Sequence, residues 1–167
     1  MTAPKTPARS RTYTWQDPLQ TAQSVRVLTG LQFLQKIIAG ELPPPPISQT
    51  LDYSLLEAEE GRAVFGIRPA EIHYNPIGMV HGGVPCTLLD SAMACAIQTM
   101  LPLGVAYTTL ELKVNIIKAI GKDTGLLRAE GKLIHAGRST AVAEGRLTDE
   151  AGKLYAHATT TCMILRP

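Results

Sequence analysis

Apolar residues near the start of the chain recur at helical spacing, and further along they change to strand-like runs. From Val25 to Gly40 they fall on one stripe, which predicts an amphipathic helix that ends at Gly40. Four successive prolines, at 43–46, follow this stripe. Because proline fixes φ and lacks an N–H group, they predict an extended polyproline II segment. Such a segment is either a surface linker or a stiff flap over an apolar pocket, and the sequence leaves both interpretations open.

The rest of the chain has strand periodicity on both sides of one apolar helix. Residues 83–100 are apolar nearly all round, which is typical of a helix surrounded by protein. Apolar and polar residues alternate over 109–116, as in a strand. Glu59–Arg62, with its glycine, and Asn75-Pro76 mark turns. The predicted strands are 49–58, 63–69, 105–117, 124–135, 139–148 and 153–165. This order predicts an α+β fold in which an antiparallel sheet wraps around one central buried helix.

Length and charge distribution indicate one domain behind a basic leader. The 167 residues are enough to bury a substantial core. Three basic residues and no acidic residue precede Asp17, in a stretch rich in Thr, Pro, Ala and Ser. We therefore expect a disordered basic leader over 1–22 and a single domain over 23–167. No apolar segment follows the basic residues, so we expect no secretory signal.

The same composition argues against several classes of partner. The residues after the basic leader have a net charge close to zero, and only 5% of the chain is aromatic. Neither property favours a nucleic-acid interface. Residues 91–110 carry no charge, but Pro102 and Gly104 interrupt them, so a buried helix, a turn and a strand are expected rather than a membrane span. The three cysteines lack the paired spacing of a disulfide framework or a zinc motif. They are Cys86, Cys95 and Cys162, and we expect inert buried thiols in a cytoplasmic protein.

The start of the predicted central helix carries the residues best suited to chemistry. Gly82-Gly83 leaves backbone N–H groups open to a ligand, and the helix dipole adds positive potential there. A carbonyl oxygen that gains negative charge would be stabilised at such a position, as in an oxyanion hole. Asp90 is the one acidic residue of the predicted helix 83–100, and there it needs a partner, a cleft or a catalytic role. Considered alone, Asp90 could equally be a hydrogen-bonded acid of the core, and His81 could be a local helix cap. Their occurrence together in one short segment favours a catalytic or binding site.

Residues 75–90 resemble a known family. They read N-P-I-G-M-V-H-G-G-V-P-C-T-L-L-D, which is similar to the motif of the PaaI-like branch of the hotdog-fold acyl-CoA thioesterase superfamily. Residues 91–94, 109–115 and 145–158 are also family-like, and the similarity covers roughly residues 25–165. The resemblance implies a hotdog fold and an enzyme that hydrolyses acyl-CoA to a free acid and CoA. It further implies aromatic, arylacetyl or short-to-medium acyl groups as substrates, without a cofactor or metal.

The resemblance also implies a role for each residue of the motif. Asp90 would act as general base on water or as nucleophile on the thioester carbon. Gly82 would donate its N–H to the thioester carbonyl oxygen, and Asn75 would help to hold that carbonyl or the water. His81 would shape the loop and hydrogen-bond near the thioester sulfur, and Thr109 would position the water. In the family these groups converge across a dimer interface, and two such dimers commonly form a homotetramer.

The CoA moiety would lie at the surface between subunits. Arg138 is the strongest phosphate-binding candidate, because its charge is permanent and its fork matches phosphate, the alternative being a solvated turn residue. Many relatives have a Phe-x-Arg-Pro-like run where this chain has Ile116-Ile117-Lys118-Ala119-Ile120. The resemblance places CoA contacts at Lys118, Gly121, His135, Gly137, Arg138 and Ser139.

Two other functions fit the same fold. A non-catalytic module for acyl-CoA binding or sensing would bind the thioester without releasing a thiol. A hotdog enoyl-CoA hydratase would use a histidine and an acid in a different sequence frame. Glu111, mid-strand beside the proposed site, is either a reserve catalytic acid or a solvated or salt-bridged strand residue. The presence of Asp90 favours hydrolysis over both alternatives.

Overall fold

The residues that the structure describes, 8–166, form four α-helices and one six-stranded sheet in a computed structural model. The helices are α1 (Pro18–Gln23), α2 (Gly30–Ile38), α3 (Pro46–Leu51) and α4 (Gly83–Gln98). The strands are β1 (Tyr53–Glu59), β2 (Arg62–Ile67), β3 (Ala106–Ile116), β4 (Leu127–Ala136), β5 (Thr140–Asp149) and β6 (Leu154–Leu165). All pairings are antiparallel, in the order β1-β2-β4-β5-β6-β3, so β1 and β3 are the two edges. The predicted α+β fold, with the sheet packed around one long helix, is confirmed.

Helix α4 is buried because it lies directly on the sheet. Its buried residues are Val84, Pro85, Leu88, Leu89, Ala92, Met93, Ala94, Ala96 and Ile97. Gly131 of β4 lies beneath the middle of the helix, where a Cβ atom would come within 2.2 Å of the carbonyl oxygen of Ala92. The missing side chain at Gly131 therefore allows the two backbones to approach closely.

Replacing Gly131 by Ala is expected to lower the free energy of unfolding by about 3 kcal/mol or more, because a fixed backbone would have to move to admit the methyl group. Urea denaturation followed by circular dichroism measures the change. Gly121→Ala is the matched control, since the nearest atom to its added Cβ lies 3.7 Å away, and we expect a change within about 0.5 kcal/mol. Equal stability of the two variants would contradict this account of how helix and sheet pack.

The helix predicted over 25–40 is shorter in the structure. It begins at Gly30 because Thr29 forms a capping box, in which Thr29 Oγ1 accepts from Gln32 N–H and Gln32 Oε1 accepts from Thr29 N–H. The residues before it form a separate 3₁₀ turn, Ser24–Arg26. The periodicity alone predicts one continuous helix, but the capping box at Thr29 divides this apolar stripe into a 3₁₀ turn and α2.

The first predicted strand also begins later than expected. Residues 49–51 belong to α3, because Pro46 occupies its first turn, where the missing N–H of proline is harmless. Asp52 then adopts a left-handed conformation, with φ of 57°, and directs the chain into β1 at Tyr53. The proline run therefore leads into a helix and not directly into a strand.

The basic leader differs from its prediction where the structure describes it. Residues 18–22 lie in α1, and the Arg11 guanidinium donates to the carbonyl oxygens of Gln49 (3.0 Å) and Thr50 (3.2 Å). Residues 1–7 of the predicted disordered leader lie outside the described residues. The segment before α2 is therefore attached to the domain, close to the proline run.

A β-bulge in β3 breaks the predicted alternation. The register to β6 shifts between Thr109, which pairs with Cys162, and Glu111, which pairs with Thr161. The extra residue leaves Leu110 55% exposed, although the alternation groups it with the apolar side of the strand. The same bulge turns Thr109 to the inner face of the sheet, towards α4.

Candidate active site

Asp90 lies at the middle of α4 and lines a cavity of about 520 Å³. The cavity is bounded by α4 on one side and by α1, α2 and the proline run on the other. The flap interpretation of prolines 43–46 is thus confirmed, since all four line the cavity. Glu111, the reserve acid, is exposed and does not line it. A carboxylate that opens onto an apolar cavity is positioned to act on a bound molecule.

Thr109 and Asp90 are brought together by the bulge in β3. The Thr109 hydroxyl donates to Asp90 Oδ1 over 3.0 Å. Among residues 8–166, no hydrogen-bond donor reaches Asp90 Oδ2. One carboxylate oxygen is therefore held in place while the other remains open to the cavity.

The loop before α4 is a tight turn built around Asn75. Asn75 Oδ1 accepts from the N–H groups of Ile77 and Met79, each over 3.1 Å, and Asn75 N–H donates to the carbonyl of Met79. Its side-chain oxygen is thus committed to the turn, and only the amide NH₂ group is left to donate. Asn75 can hold a carbonyl oxygen, which accepts, more readily than it can accept from a water molecule.

Buried His73 anchors the other end of this loop. Its Nδ1 accepts from Ala70 N–H and its Nε2 bonds to the carbonyl of Leu51, both over 2.9 Å. The His73 carbonyl accepts in turn from His81 N–H over 2.7 Å. The end of α3 and the segment that leads into α4 are therefore both held by one buried residue, through its side chain and its backbone carbonyl respectively.

His81 and Gly82 define the N-terminus of α4. His81 Nδ1 accepts from Gly83 N–H over 2.9 Å, so His81 is a local cap of the helix. The expectation that both glycines leave N–H groups open is wrong for Gly83, whose N–H this cap uses. Gly82 N–H forms no hydrogen bond within residues 8–166, and it lies at the positive end of the helix dipole. One backbone donor is therefore available to a carbonyl oxygen.

Gly82 and Asp90 do not meet within one chain. Asp90 lies eight residues after Gly82, which corresponds to about 12 Å along the axis of α4. Gly82, His81 and Asn75 are also absent from the lining of the cavity that contains Asp90 and Thr109. A single thioester therefore cannot contact both groups of one subunit at the same time.

The six residues proposed for CoA lie in two places. Lys118 and Gly121 lie in the loop after β3, where Lys118 N–H donates to the carbonyl of Tyr155. The other four lie in or beside the turn between β4 and β5, and the carbonyl of Ser139 accepts from Ile164 N–H. On β6, Ile164 lies nine residues after Tyr155, so about 30 Å of strand separates those two anchor points. The two groups therefore lie at opposite ends of the sheet.

Two polar residues of the cavity were not singled out from the sequence. Tyr107 donates to Gln98 Oε1 over 3.3 Å, and both line the cavity. Burial raises the pKa of the Tyr107 phenol well above its ordinary value, so the hydroxyl remains a hydrogen-bond donor. The helical period offered a signal for Gln98, since it lies two turns beyond Asp90 on nearly the same face of α4.

The three cysteines are free thiols. Burial raises the pKa of the Cys95 thiol to about 12, and it raises the pKa of Cys86 and of Cys162 as well. A protonated thiol is a poor nucleophile, so Cys95, although it lines the cavity, is not a candidate for covalent chemistry. In the described part of the chain no helix combines the length and the apolar character needed to span a bilayer.

Comparisons with known proteins agree on one family. Residues 77–156 match the thioesterase superfamily. The chain is 31% identical over 109 residues to the 1,4-dihydroxy-2-naphthoyl-CoA hydrolase of Listeria monocytogenes, an alignment that covers 65% of this chain and 86% of the relative. A solved phenylacetic acid degradation-related protein from Ralstonia eutropha is 30% identical, with a TM-score of 0.70 and coverage of 78% and 98% of the two chains.

The fold itself is shared with the PaaI protein of E. coli. That structure has a TM-score of 0.66 and covers 72% of this chain and 85% of its own length, at 20% identity. Residues 77–156, which match the thioesterase superfamily, include the turn before α4, the helix itself and strands β3 to β5. This chain belongs to the thioesterase superfamily, as a PaaI-like member with the hotdog fold.

Proposed function

We propose that this protein hydrolyses acyl-CoA thioesters to a free acid and CoA, with aromatic, arylacetyl or short-to-medium acyl groups as substrates. The observation that carries the proposal is Asp90, whose Oδ1 accepts from Thr109 and whose carboxylate opens onto an apolar cavity. The names of the Listeria and Ralstonia relatives, which refer to a naphthoyl-CoA and to phenylacetic acid, support an acyl-CoA with an apolar acyl part.

In this reaction Gly82 N–H and the dipole of α4 stabilise the charge that develops on the thioester carbonyl oxygen. The Asn75 NH₂ group is a second donor to the same oxygen. Asp90 acts on the carbonyl carbon, either by taking a proton from an attacking water or by attacking directly to form an anhydride that water then cleaves. In both cases the carbon–sulfur bond breaks, and the CoA thiolate leaves with a proton. Thr109 orients the carboxylate, and His81 maintains the shape of the turn.

The separation of Gly82 and Asp90 requires a second copy of the chain. Strand β3 offers the surface for it, since its 11 residues form one edge of the sheet and leave a row of unpaired backbone groups. Apolar side chains are exposed along this strand, including Leu110 and Ile116. Pairing of β3 with the β3 of a second copy would cover this edge and bring Asp90 of each subunit near Gly82 of the other. Two such dimers would form the proposed tetramer.

The CoA moiety then contacts two subunits. Lys118 and Gly121 lie at the Gly82 end of the sheet, whereas the turn that includes Arg138 lies at the opposite end, about 30 Å away. The CoA that contacts Lys118 and Gly121 of one subunit therefore meets Arg138 of the neighbouring subunit. There the exposed Arg138 guanidinium binds a CoA phosphate, together with His135, Gly137 and Ser139 of the same turn.

Release of free CoA thiol tests the proposal. The purified protein is incubated with a panel of acetyl-, butanoyl-, decanoyl-, benzoyl-, phenylacetyl- and naphthoyl-CoA, and a thiol reagent records turnover. We expect hydrolysis of at least one thioester at a rate well above the background without protein. Saturable binding of acyl-CoA without thiol release would instead support the non-catalytic module, and hydration of an enoyl-CoA would support the hydratase.

A further inference from the structure

We infer that the cavity beside Asp90 is an acyl-binding pocket for a bulky apolar acyl group, larger than a single aromatic ring. This inference rests on the proposed thioester hydrolysis, and it names the substrate class for that site. Fused-ring aromatic groups and medium-length alkyl chains share the required chemistry.

The floor of the cavity is one face of α4. Asp90, Ala94 and Gln98 follow one another at intervals of four residues, and all three line the cavity. They span about 12 Å along the helix, from the reacting carboxylate towards its C-terminal end. An acyl group whose carbonyl lies at Asp90 would therefore extend past Ala94 towards Gln98.

The roof is formed by residues upstream of the stretch that matches the family. Phe33, Leu34 and Ile37 of α2 face the floor, and the four prolines close one side. Residues 16–25, from α1 and its flanks, contribute the outer wall. All of these precede residue 77, where the match to the superfamily begins. The roof thus comes from the N-terminal part of the chain, whereas the reacting groups come from α4 and from the strand that follows it.

Four polar residues of the walls are already paired with one another. Tyr107 donates to Gln98, and the hydroxyl groups of Tyr53 and Ser91 lie 3.1 Å apart. The remaining walls are mostly aliphatic, aromatic or proline side chains, with Gln16, Thr21, Ser48 and Thr108 as polar residues among them. Polar groups that already satisfy each other favour an apolar occupant, because a polar one would lose its hydrogen bonds to water without replacement.

The size of the cavity favours an acyl group larger than acetyl or benzoyl. Pockets of about 300–1,000 Å³ are typical of sites that bury drug-sized ligands, and this one has about 520 Å³. An acetyl or a benzoyl group would leave much of the apolar wall unfilled. Each additional buried methylene should raise kcat/KM by about fourfold until the space is filled, because burying one contributes about 0.8 kcal/mol.

A pair of neighbouring isoleucines provides the test. Ile37 lines the cavity, whereas Ile38 on the same helix points away from it and is 41% exposed. Ile37→Trp should fill the pocket and lower kcat/KM for decanoyl-CoA and 2-naphthoyl-CoA by at least ~10-fold, while butanoyl-CoA changes little. Ile38→Trp should leave all three values close to wild type. Comparison of the wild-type kcat/KM values for decanoyl-CoA and 2-naphthoyl-CoA then shows whether the pocket prefers alkyl chains or fused rings.

A binding measurement separates this inference from the hydrolysis on which it rests. In an Asp90→Asn background, titration calorimetry gives the Kd of decanoyl-CoA for the Ile37→Trp and Ile38→Trp proteins. We expect at least ~10-fold weaker binding for Ile37→Trp alone, whatever the turnover. Equal Kd values for the two variants, or a wild-type preference for butanoyl-CoA over decanoyl-CoA and naphthoyl-CoA, would overturn the inference.

Discussion

Replacing Asp90 by Asn is expected to lower kcat for acyl-CoA hydrolysis by at least ~100-fold, with little change in stability. The amide has nearly the same shape and can still accept from Thr109 through its oxygen, so the contact of 3.0 Å is retained. What it loses is the negative charge that takes a proton from water or attacks the thioester carbon. The effect should therefore fall on kcat and leave binding of acyl-CoA largely intact.

Steady-state thiol release with the best substrate of the panel measures this change. Glu111→Gln is the matched control, because Glu111 is an exposed acid on the neighbouring strand that does not line the cavity. We expect wild-type kcat for the control. Full activity of Asp90→Asn would remove Asp90 from the mechanism, and loss of activity in Glu111→Gln alone would move the catalytic acid to Glu111.

Replacing Gly82 by Pro is expected to lower kcat by about 100- to 1,000-fold, which is the cost of removing one oxyanion donor. Gly82 has φ of −57°, a value that proline adopts without strain, so the substitution removes the N–H group while retaining the backbone angle. No hydrogen bond of the described chain uses this N–H group, so the loss should appear in catalysis and not in the folding of α4.

Gly82→Ala is the control for this change, because alanine keeps the N–H group. Its added methyl would approach the Cδ1 atom of Ile116 to 3.2 Å, a contact with the end of a flexible side chain that can move. We expect Gly82→Ala to retain most of the activity. If Gly82→Pro and Gly82→Ala lowered kcat to the same extent, catalysis would require the absence of a side chain at position 82 and not the N–H group of Gly82.

The sequence predicted the sheet and the central helix because their patterns are locally consistent. All six strands and α4 are present, and the apolar character of residues 83–100 correctly indicated a helix enclosed by protein. The errors fall where a local feature overrides periodicity. The capping box at Thr29 shortened one helix, and Pro46 converted the start of a predicted strand into α3.

The candidate site was predictable in part. The chemistry of the 75–90 segment identified Asp90 and Gly82, but alternation alone gave no reason for Thr109 to face α4. That contact depends on a β-bulge, and a single extra residue in a strand leaves no clear mark in the sequence. Nor could the pattern show that Tyr107 and Gln98 meet, or that α2 and the prolines cover Asp90, since these contacts join distant segments of the chain.

The claim that Asp90 and Gly82 of different subunits form one site is tested most directly by mixing the two inactive variants. Asp90→Asn and Gly82→Pro chains with different affinity tags are co-expressed, recovery through both tags verifies that mixed assemblies form, and the activity of the unfractionated mixture is compared with that of each variant alone. Random pairing of two chains gives half mixed dimers, each with one intact site of two, so the unfractionated mixture should regain about one quarter of wild-type activity. Activity no greater than the sum of the two variants alone would contradict a site shared between subunits.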